Sequence, residues 1–190
     1  MRIMLLGAPG SGKGTQAKVL AAHYSVAHIG VGDVLRKEVA DGSTLGREVE
    51  AELARGDLVH DDVVFDVIWP LVMEAASAGG YVLDGFPRTL RQAEMAYDAA
   101  LRDGVAIDAV VYFDADRTVL LDRMLARSAG RSDDNASVIT HRLAVFEAST
   151  RPLVDFYDKR GILVRVDAQR AIDDVTNNIV TELDHRAQSR

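Results

Sequence analysis

The stretch from Met1 to Gln16 constrains the chain most. A short apolar run, Ile3-Met4-Leu5-Leu6, leads into Gly7-Ala8-Pro9-Gly10-Ser11-Gly12-Lys13-Gly14-Thr15-Gln16. The run has the length of a buried strand and is stopped by Gly and Pro. Past Lys13, apolar residues fall at Ala17, Leu20, Ala21 and Tyr24, a helical spacing. Strand, glycine loop and helix, in that order, are the setting of a phosphate-binding loop. The backbone N–H groups of such a loop point inward at an anion, and the helix start adds partial positive charge. Glycine is needed because a Cβ would block the curl of the backbone and the close approach of phosphate. Lys13 supplies a mobile point charge for the outer phosphates.

Gly7 and the Gly12-Lys13 pair fit the G-x-x-x-x-G-K frame, but Gly14 stands where Ser or Thr is usual. The hydroxyl comes one residue later, at Thr15. A P-loop commonly holds Mg²⁺ with that hydroxyl. Here the expectation is a metal held by nucleotide phosphates and water. A dinucleotide loop fits poorly, because Thr15 occupies the third glycine position after Gly10 and Gly12. The bland alternative is a glycine turn that merely starts a helix. The lysine directly after the glycine and the strand before it weigh against that.

A chain of 190 residues with 48% hydrophobic content suits one compact domain, with small mobile excursions. It has no Cys, which excludes a disulfide framework and a thiolate zinc site. No signal-peptide pattern precedes the first strand, and no apolar run is long enough to span a bilayer, so the cytoplasm is expected. The net charge of −7 argues against general affinity for nucleic acid or membrane. Arg outnumbers Lys, and Arg binds phosphate through planar, bidentate bonds. In an acidic protein this hints at arginines gathered in a site. Codon bias, visible also in the abundant Ala and Val, accounts for part of the excess.

Downstream, Ala27-His28-Ile29 reads as a short strand leading through Gly30-Val31-Gly32-Asp33 into a helix from Val34 to about Ala40. Asp33 would cap that helix if its role were only structural. Leu45 to Ala54 reads as a second helix, closed by Gly56 as a C-cap. Asp61 to Ala78 reads as a long helix that Pro70 should kink or split. Tyr81-Val82-Leu83-Asp84 is the next strand, followed by Gly85-Phe86-Pro87-Arg88. An apolar strand ending in Asp is where P-loop proteins place a metal-side carboxylate. An ATPase that splits water commonly keeps a Glu next to it, and this chain has Gly85. There is no later N-K-x-D base reader of the GTPase kind. A triphosphate site without a water activator points to transfer onto a bound acceptor. Asp84 as a simple turn residue is the lesser alternative.

A helix from Thr89 to Arg102 and a strand over Ala109-Val110-Val111-Tyr112-Phe113 come next. The helix Arg117 to Ala126 presents Arg123, and Arg127 follows one turn on; by spacing alone these make a solvated basic stripe. Ser128 to Asn135 is polar, contains Gly130 and reads as a mobile loop. Helices over about Ala136 to Glu147 and Pro152 to Arg160, a strand over Ile162 to Val166 and a helix from Ala171 to about His185 complete the chain. Strands alternating with helices predict an α/β fold, a parallel sheet covered on both faces.

With these segments placed, the chain resembles the adenylate kinases over essentially its whole length. The resemblance is carried by Gly7 to Ala17, by Gly32-Asp33 with Arg36, and by Gly56-Asp57-Leu58-Val59. It continues in Leu83-Asp84-Gly85-Phe86-Pro87-Arg88 with Gln92, and in Gly130-Arg131-Ser132-Asp133-Asp134. The shifted Gly-Lys-Gly-Thr ending is typical of nucleoside monophosphate kinases, and Asp-Gly-Phe-Pro-Arg is more specific still. The resemblance implies a P-loop three-layer α/β/α sandwich with a five-stranded parallel sheet core. It also implies a small helical part for the monophosphate, here about 30–59, and a short lid, here about 128–136, within one domain over 1–190. The implied activity is reversible Mg²⁺-dependent phosphoryl transfer between ATP and AMP, giving two ADP. No zinc is implied, since the long cysteine-bearing lid of some members is missing. The short-lid form is usually monomeric.

The resemblance also implies roles residue by residue. Lys13 and the loop Gly10, Ser11, Gly12, Gly14 and Thr15 hold the ATP phosphates. Arg123 lies on the ATP adenine and the Arg170 backbone touches its edge. Arg36 and Arg88 clamp the AMP phosphate, while Arg127, Arg131 and Arg142 converge on the transferring group. Asp57, Leu58 and Val59 contact AMP by backbone, Gln92 reads its adenine, and Gly85, Phe86 and Pro87 border it. Phe86-Pro87 matches a cis peptide. Asp84 and Asp33 orient waters on Mg²⁺ rather than binding it directly, and Asp133 and Asp134 help close the lid. Two alternatives stay open: a monophosphate kinase of relaxed or different base preference (CMP or UMP), and a sensor that binds ATP and AMP without turnover.

The chain leaves the family pattern at Val31, where the family usually has a Thr that contacts the AMP base. Valine keeps the shape and loses the hydroxyl. A neutral hydrogen bond contributes about 0.5–1.5 kcal/mol net, so AMP affinity should be weaker by about two- to tenfold. Val31→Thr is expected to lower KM for AMP and leave KM for ATP unchanged, with AMP still preferred over CMP and UMP in the parent. An unchanged KM for AMP would show that residue 31 does not touch the base.

Overall fold

The structure, a computed structural model, describes residues 1–127 and 135–188. Its strands are β1 (Arg2–Gly7), β2 (Ala27–Gly30), β3 (Tyr81–Asp84), β4 (Ala109–Asp114) and β5 (Leu163–Asp167). They form one parallel sheet in the order β2-β3-β1-β4-β5. Parallel strands need crossovers, and helices supply them: α1 (Lys13–Tyr24), α2 (Val31–Ala40), α3 (Thr44–Arg55), α4 (Asp61–Ser77) and α5 (Leu90–Arg102) in the first half. In the second half they are α6 (Arg117–Arg127), α7 (Ala136–Val145), α8 (Leu153–Asp158) and α9 (Ile172–Gln188). A π-helical turn, Phe146–Thr150, continues α7.

β1 is buried on both sides, and its side chains divide by the strand period of two. Ile3 and Leu5 join Leu20 of α1 and Ile179 and Leu183 of α9 on one face. Met4 and Leu6 join Met124 of α6, Ile139 and Leu143 of α7 and Leu153 of α8 on the other. Helices therefore cover both faces of a central parallel sheet, as the sequence reading expected. A third apolar cluster lies at the β2–β3 end, where Ile29 and Leu83 meet Leu35 of α2, Val49 of α3 and Ile68 of α4. That cluster carries α2 and α3 as an extension beside the sheet.

Three sequence expectations change. Pro70 does not split its helix: α4 runs unbroken from Asp61 to Ser77. The prolyl residue is exposed, while Val64, Ile68, Val72 and Ala75 face the core. The carbonyl that loses its partner therefore lies on the solvent side, and the buried stripe keeps the helix together. Asp33 is not an N-cap: α2 begins at Val31 with Gly30 as its cap, so Asp33 sits in the first turn, favoured there by the helix dipole. The helix read through to Glu147 changes at Phe146 into the π turn. Gly56 does cap α3 in a left-handed conformation, at φ 78°. Phe86-Pro87 is cis. Among the described residues, no helix is long and apolar enough to cross a membrane.

Helices α2 and α3 meet at Gly46, which fits only because it lacks a side chain. A Cβ there would stand 2.1 Å from the Glu38 carbonyl oxygen and 2.7 Å from the Val39 nitrogen. Gly46→Ala must push the two helices apart, an overpacking cost of about 1–3 kcal/mol or more. Urea titration is expected to show that loss, and parent-like stability would show that α2 and α3 do not pack at this point.

Candidate active site

The loops at the carboxyl ends of β1, β2, β3 and β5 open onto one cleft of about 610 Å³. This is where ligands sit in open parallel sheets, beside strands whose connections leave in opposite directions. From β1 the chain runs toward β2, from β4 toward β5, and β1 and β4 are neighbours.

The glycine loop forms one wall. Gly12 holds the N-cap of α1 in a left-handed conformation, which only glycine adopts at low cost. Gly10 is required for a different reason. A Cβ on it would lie 2.8 Å from the Leu120 carbonyl oxygen and 2.9 Å from Met124 Cγ, so the loop rests directly on α6. Lys13 Nζ donates to the carbonyls of Gly7, at 2.7 Å, and Ala8, at 2.9 Å. The ammonium group is thus held across the mouth of the loop. Gly14 leaves space toward Asp84, since a Cβ there would be 3.5 Å from Asp84 Oδ2.

The cleft gathers cations from distant parts of the chain. Lys13, Arg36, Arg88, Arg123, Arg142 and Arg170 all line it, in a protein of net charge −7. Arg88 Nε donates to the Gly85 carbonyl at 2.9 Å. Burial pulls the Arg88 guanidinium below its ordinary pKa; Asp84 opposes that, and Arg142 and Arg36 add to it. An arginine still remains charged at neutral pH. A half-buried cation with two further cations at hand is an arrangement that a phosphate stabilises. Arg36 donates to Asp33 Oδ1 at 2.5 Å. Arg123 donates to the Ala168 carbonyl at 2.8 Å, and Arg170 Nε to Asp167 Oδ2 at 3.2 Å. The basic stripe expected of α6 from spacing is therefore turned into the cleft at Arg123. Arg127 ends α6; its side chain, with Arg131, Asp133 and Asp134 and most of the expected lid at 128–136, lies outside the described residues.

A smaller pocket adjoins the cleft and shares Arg36, Arg88 and Arg142 with it. Val31, Leu35, Val59 and Val64 give it apolar walls, and Asp57, Leu58, Gly85 and Gln92 complete it. Val31 is buried there and belongs to the apolar cluster at the β2–β3 end. The Asp57 carboxylate is turned toward Arg55 Nε, at 2.8 Å, and His141 Nε2, at 2.6 Å. Its pKa is held below the usual carboxylate range by Arg55 first and then His141. Pro87 lines the main cleft, whereas Phe86 lines neither cavity; its ring packs in the core, 6.4 Å from that of Phe65.

Several residues that position the site carried no role in the sequence reading. Thr150, in the π turn, donates to the Arg88 carbonyl at 2.8 Å and so braces the loop after β3. Gln16 donates to the Ile172 carbonyl at 2.9 Å and accepts from Thr176 at 2.8 Å, tying α1 to the start of α9. Asp61 accepts from Gln92 Nε2 at 2.8 Å. Asp61 and Thr150 look ordinary at their own places in the chain, and only their partners give them meaning. Gln16 lay inside the glycine-loop motif, which was the available signal.

Comparison with known proteins agrees with the geometry. Residues 5–162 match the family described as Adenylate kinase. The chain is 43% identical over 190 residues to an adenylate kinase of Thermobifida fusca (strain YX), spanning 98% of this chain and 100% of that one. It is 44% identical over 183 residues to an adenylate kinase of Synechococcus sp. (strain CC9902), spanning 96% and 98%. An adenylate kinase of Nitrobacter winogradskyi is 44% identical over 188 residues, spanning 94% and 91%.

Proposed function

The chain belongs to the adenylate kinase family, and from that premise we propose how its residues divide the work of an ATP:AMP phosphotransferase. The reaction is reversible transfer of the terminal phosphoryl group of ATP to AMP, giving two ADP. Phosphoryl transfer asks for positioning and charge neutralisation more than for covalent chemistry. One observation carries the division of roles: a single cleft holds the glycine loop with Lys13 at one place and Arg88 at another, with Arg36 and Arg142 beside them. Two phosphate seats in one cavity allow donor and acceptor to meet.

On the donor side, Gly10, Ser11, Gly12, Lys13, Gly14 and Thr15 hold the ATP phosphates by backbone N–H groups and one ammonium. The adenine lies near Arg123 and the backbone of Arg170. On the acceptor side, Arg36 and Arg88 clamp the AMP phosphate, and Val31, Asp57, Leu58, Val59 and Gln92 surround the base, with Gly85 and Pro87 bordering the nucleotide. Arg127, Arg131 and Arg142 stabilise charge on the transferring group. Gly85 follows Asp84 where a water activator would stand, which favours transfer to AMP over hydrolysis.

Asp84 and Asp33 line the same cleft, with space between Asp84 and the bare Gly14. Among the described residues, no group of three or more His, Cys, Asp or Glu is placed to hold a metal ion. These residues fit a hydrated Mg²⁺ carried on the ATP phosphates, with both carboxylates accepting hydrogen bonds from its waters. When bound, Mg²⁺ would neutralise charge on the phosphate oxygens. Residues 30–59 act as the AMP-binding part and 128–136 as the short lid. The protein acts as a monomer in the cytoplasm, without zinc, nucleic acid or membrane partners.

Lys13→Ala, Arg88→Ala and Arg127→Ala are each expected to lower kcat by about a hundred- to thousandfold or more, as loss of a preorganised transition-state partner does. A coupled assay with ATP and AMP measures this, and near-normal turnover in Arg88→Ala would overturn the acceptor clamp. A crystal structure with Mg²⁺ and nucleotide is expected to show the ion bound to phosphate oxygens and water. Direct bonds from two or more carboxylates would contradict the roles given to Asp84 and Asp33.

A further inference from the structure

Gln92 is buried, 2% exposed, and lines the smaller pocket. Both ends of its amide already have protein partners. Oε1 accepts the backbone N–H of Arg88 at 2.7 Å, and Nε2 donates to Asp61 Oδ1 at 2.8 Å. The Arg88 N–H can only donate, and an ionised carboxylate can only accept. A single orientation of the amide satisfies both. A ring of bonds closes behind it: the Thr89 hydroxyl lies 3.1 Å from both Asp61 oxygens, and the backbone N–H of Gln92 donates to that same hydroxyl at 3.1 Å. Asp61 thus grips the side chain of Gln92 directly and its backbone through Thr89. Asp61 itself lines neither cavity.

We propose that Asp61 is a positioning residue that sets acceptor-base choice by preventing the Gln92 amide from turning over. This rests on the proposal that Gln92 faces the acceptor base. Locked as it is, the amide has one accepting position on Oε1 and one N–H on Nε2 left over. A purine with an amino group at C6 offers an N–H and an adjacent accepting ring nitrogen, and pairs with that pattern. A purine with an oxo group at C6 offers the reverse. To pair with it the amide must rotate by half a turn. That would set Nε2–H against the Arg88 N–H, and Oε1 against the Asp61 carboxylate. Two buried like-polarity contacts would reject the oxo base, so selectivity comes from repulsion as well as from attraction.

The test compares AMP with IMP, which differ in that amino-for-oxo exchange and in the N1 proton that accompanies it. kcat/KM for each, with ATP as donor, is measured in the parent and in four variants: Asp61→Asn, Asp61→Ala, Gln92→Ala, and Asp61→Ala combined with Gln92→Ala. The Asp61→Asn change keeps the shape and can still bond Gln92, but its own amide can face either way. The AMP-to-IMP ratio is expected to fall by about threefold in Asp61→Asn and about tenfold or more in Asp61→Ala, with KM for ATP within about twofold of the parent. The double variant should have the same ratio as Gln92→Ala, because Asp61 acts only through Gln92. A structural role alone would leave the ratio in Asp61→Asn unmoved. If Gln92→Ala lowers the ratio while both Asp61 single variants keep the parent value, the role given to Asp61 is wrong and that of Gln92 stands. If Gln92→Ala itself leaves the ratio unchanged, Gln92 does not face the base and both fall.

Discussion

Phosphate recognition requires several positive charges at one place, and a folded chain must hold them together before the phosphate arrives. This constraint shapes the cleft. Lys13 rests on the Gly7 and Ala8 carbonyls, Arg88 on that of Gly85 and Arg123 on that of Ala168. Arg36 pairs with Asp33, and Arg170 with Asp167. These bonds offset part of the mutual repulsion and keep each side chain near the point where an anion would meet it. Burial does most to lower the Arg88 pKa; Asp84 opposes it, and repulsion from Arg142 and Arg36 contributes less.

The sheet makes this gathering possible. β1 lies between β3 and β4, so the glycine loop opens next to Asp84 on one side and next to the start of α6 on the other. Cations from α2, from the loop after β3, and from α6 and α7 converge because each element leaves a strand end, or packs on one, at the same edge of the sheet. Gly10 seated on Leu120 and Met124 fixes the distance between the loop and α6. The α2–α3 extension is attached through its own apolar cluster, which gives the smaller pocket its own walls.

A second tier of polar residues holds the groups that would face ligand. Thr150 braces the loop of Arg88, Gln16 ties α1 to α9, and Asp61 fixes Gln92. Each bond joins elements far apart in the chain. Each sits where little water competes, so its geometric constraint is strong even where its net energy is modest. His141 bonded to Asp57 likewise ties α7 to the end of α3.

The local order of the chain settled the strands, the glycine loop and most helices, because burial imposes a period of two or 3.6 on neighbouring residues. It also showed the position of Lys13, the strand ending in Asp84 and the C-cap at Gly56, since each depends on its immediate neighbours; the missing hydroxyl at Val31 came only from the family resemblance. Tertiary structure alone decided the rest. Pro70 stays within an unbroken helix because its lost bond faces solvent. Asp33 pairs with Arg36 instead of capping α2, because the helix starts three residues earlier than expected, at Val31. The π turn at Phe146–Thr150 brings Thr150 onto a carbonyl 62 residues away in sequence. Asp61 reads as an ordinary helix start until Gln92, 31 residues on, is placed against it. A bond between distant residues leaves no period and no local composition to read, so only the folded chain reveals it.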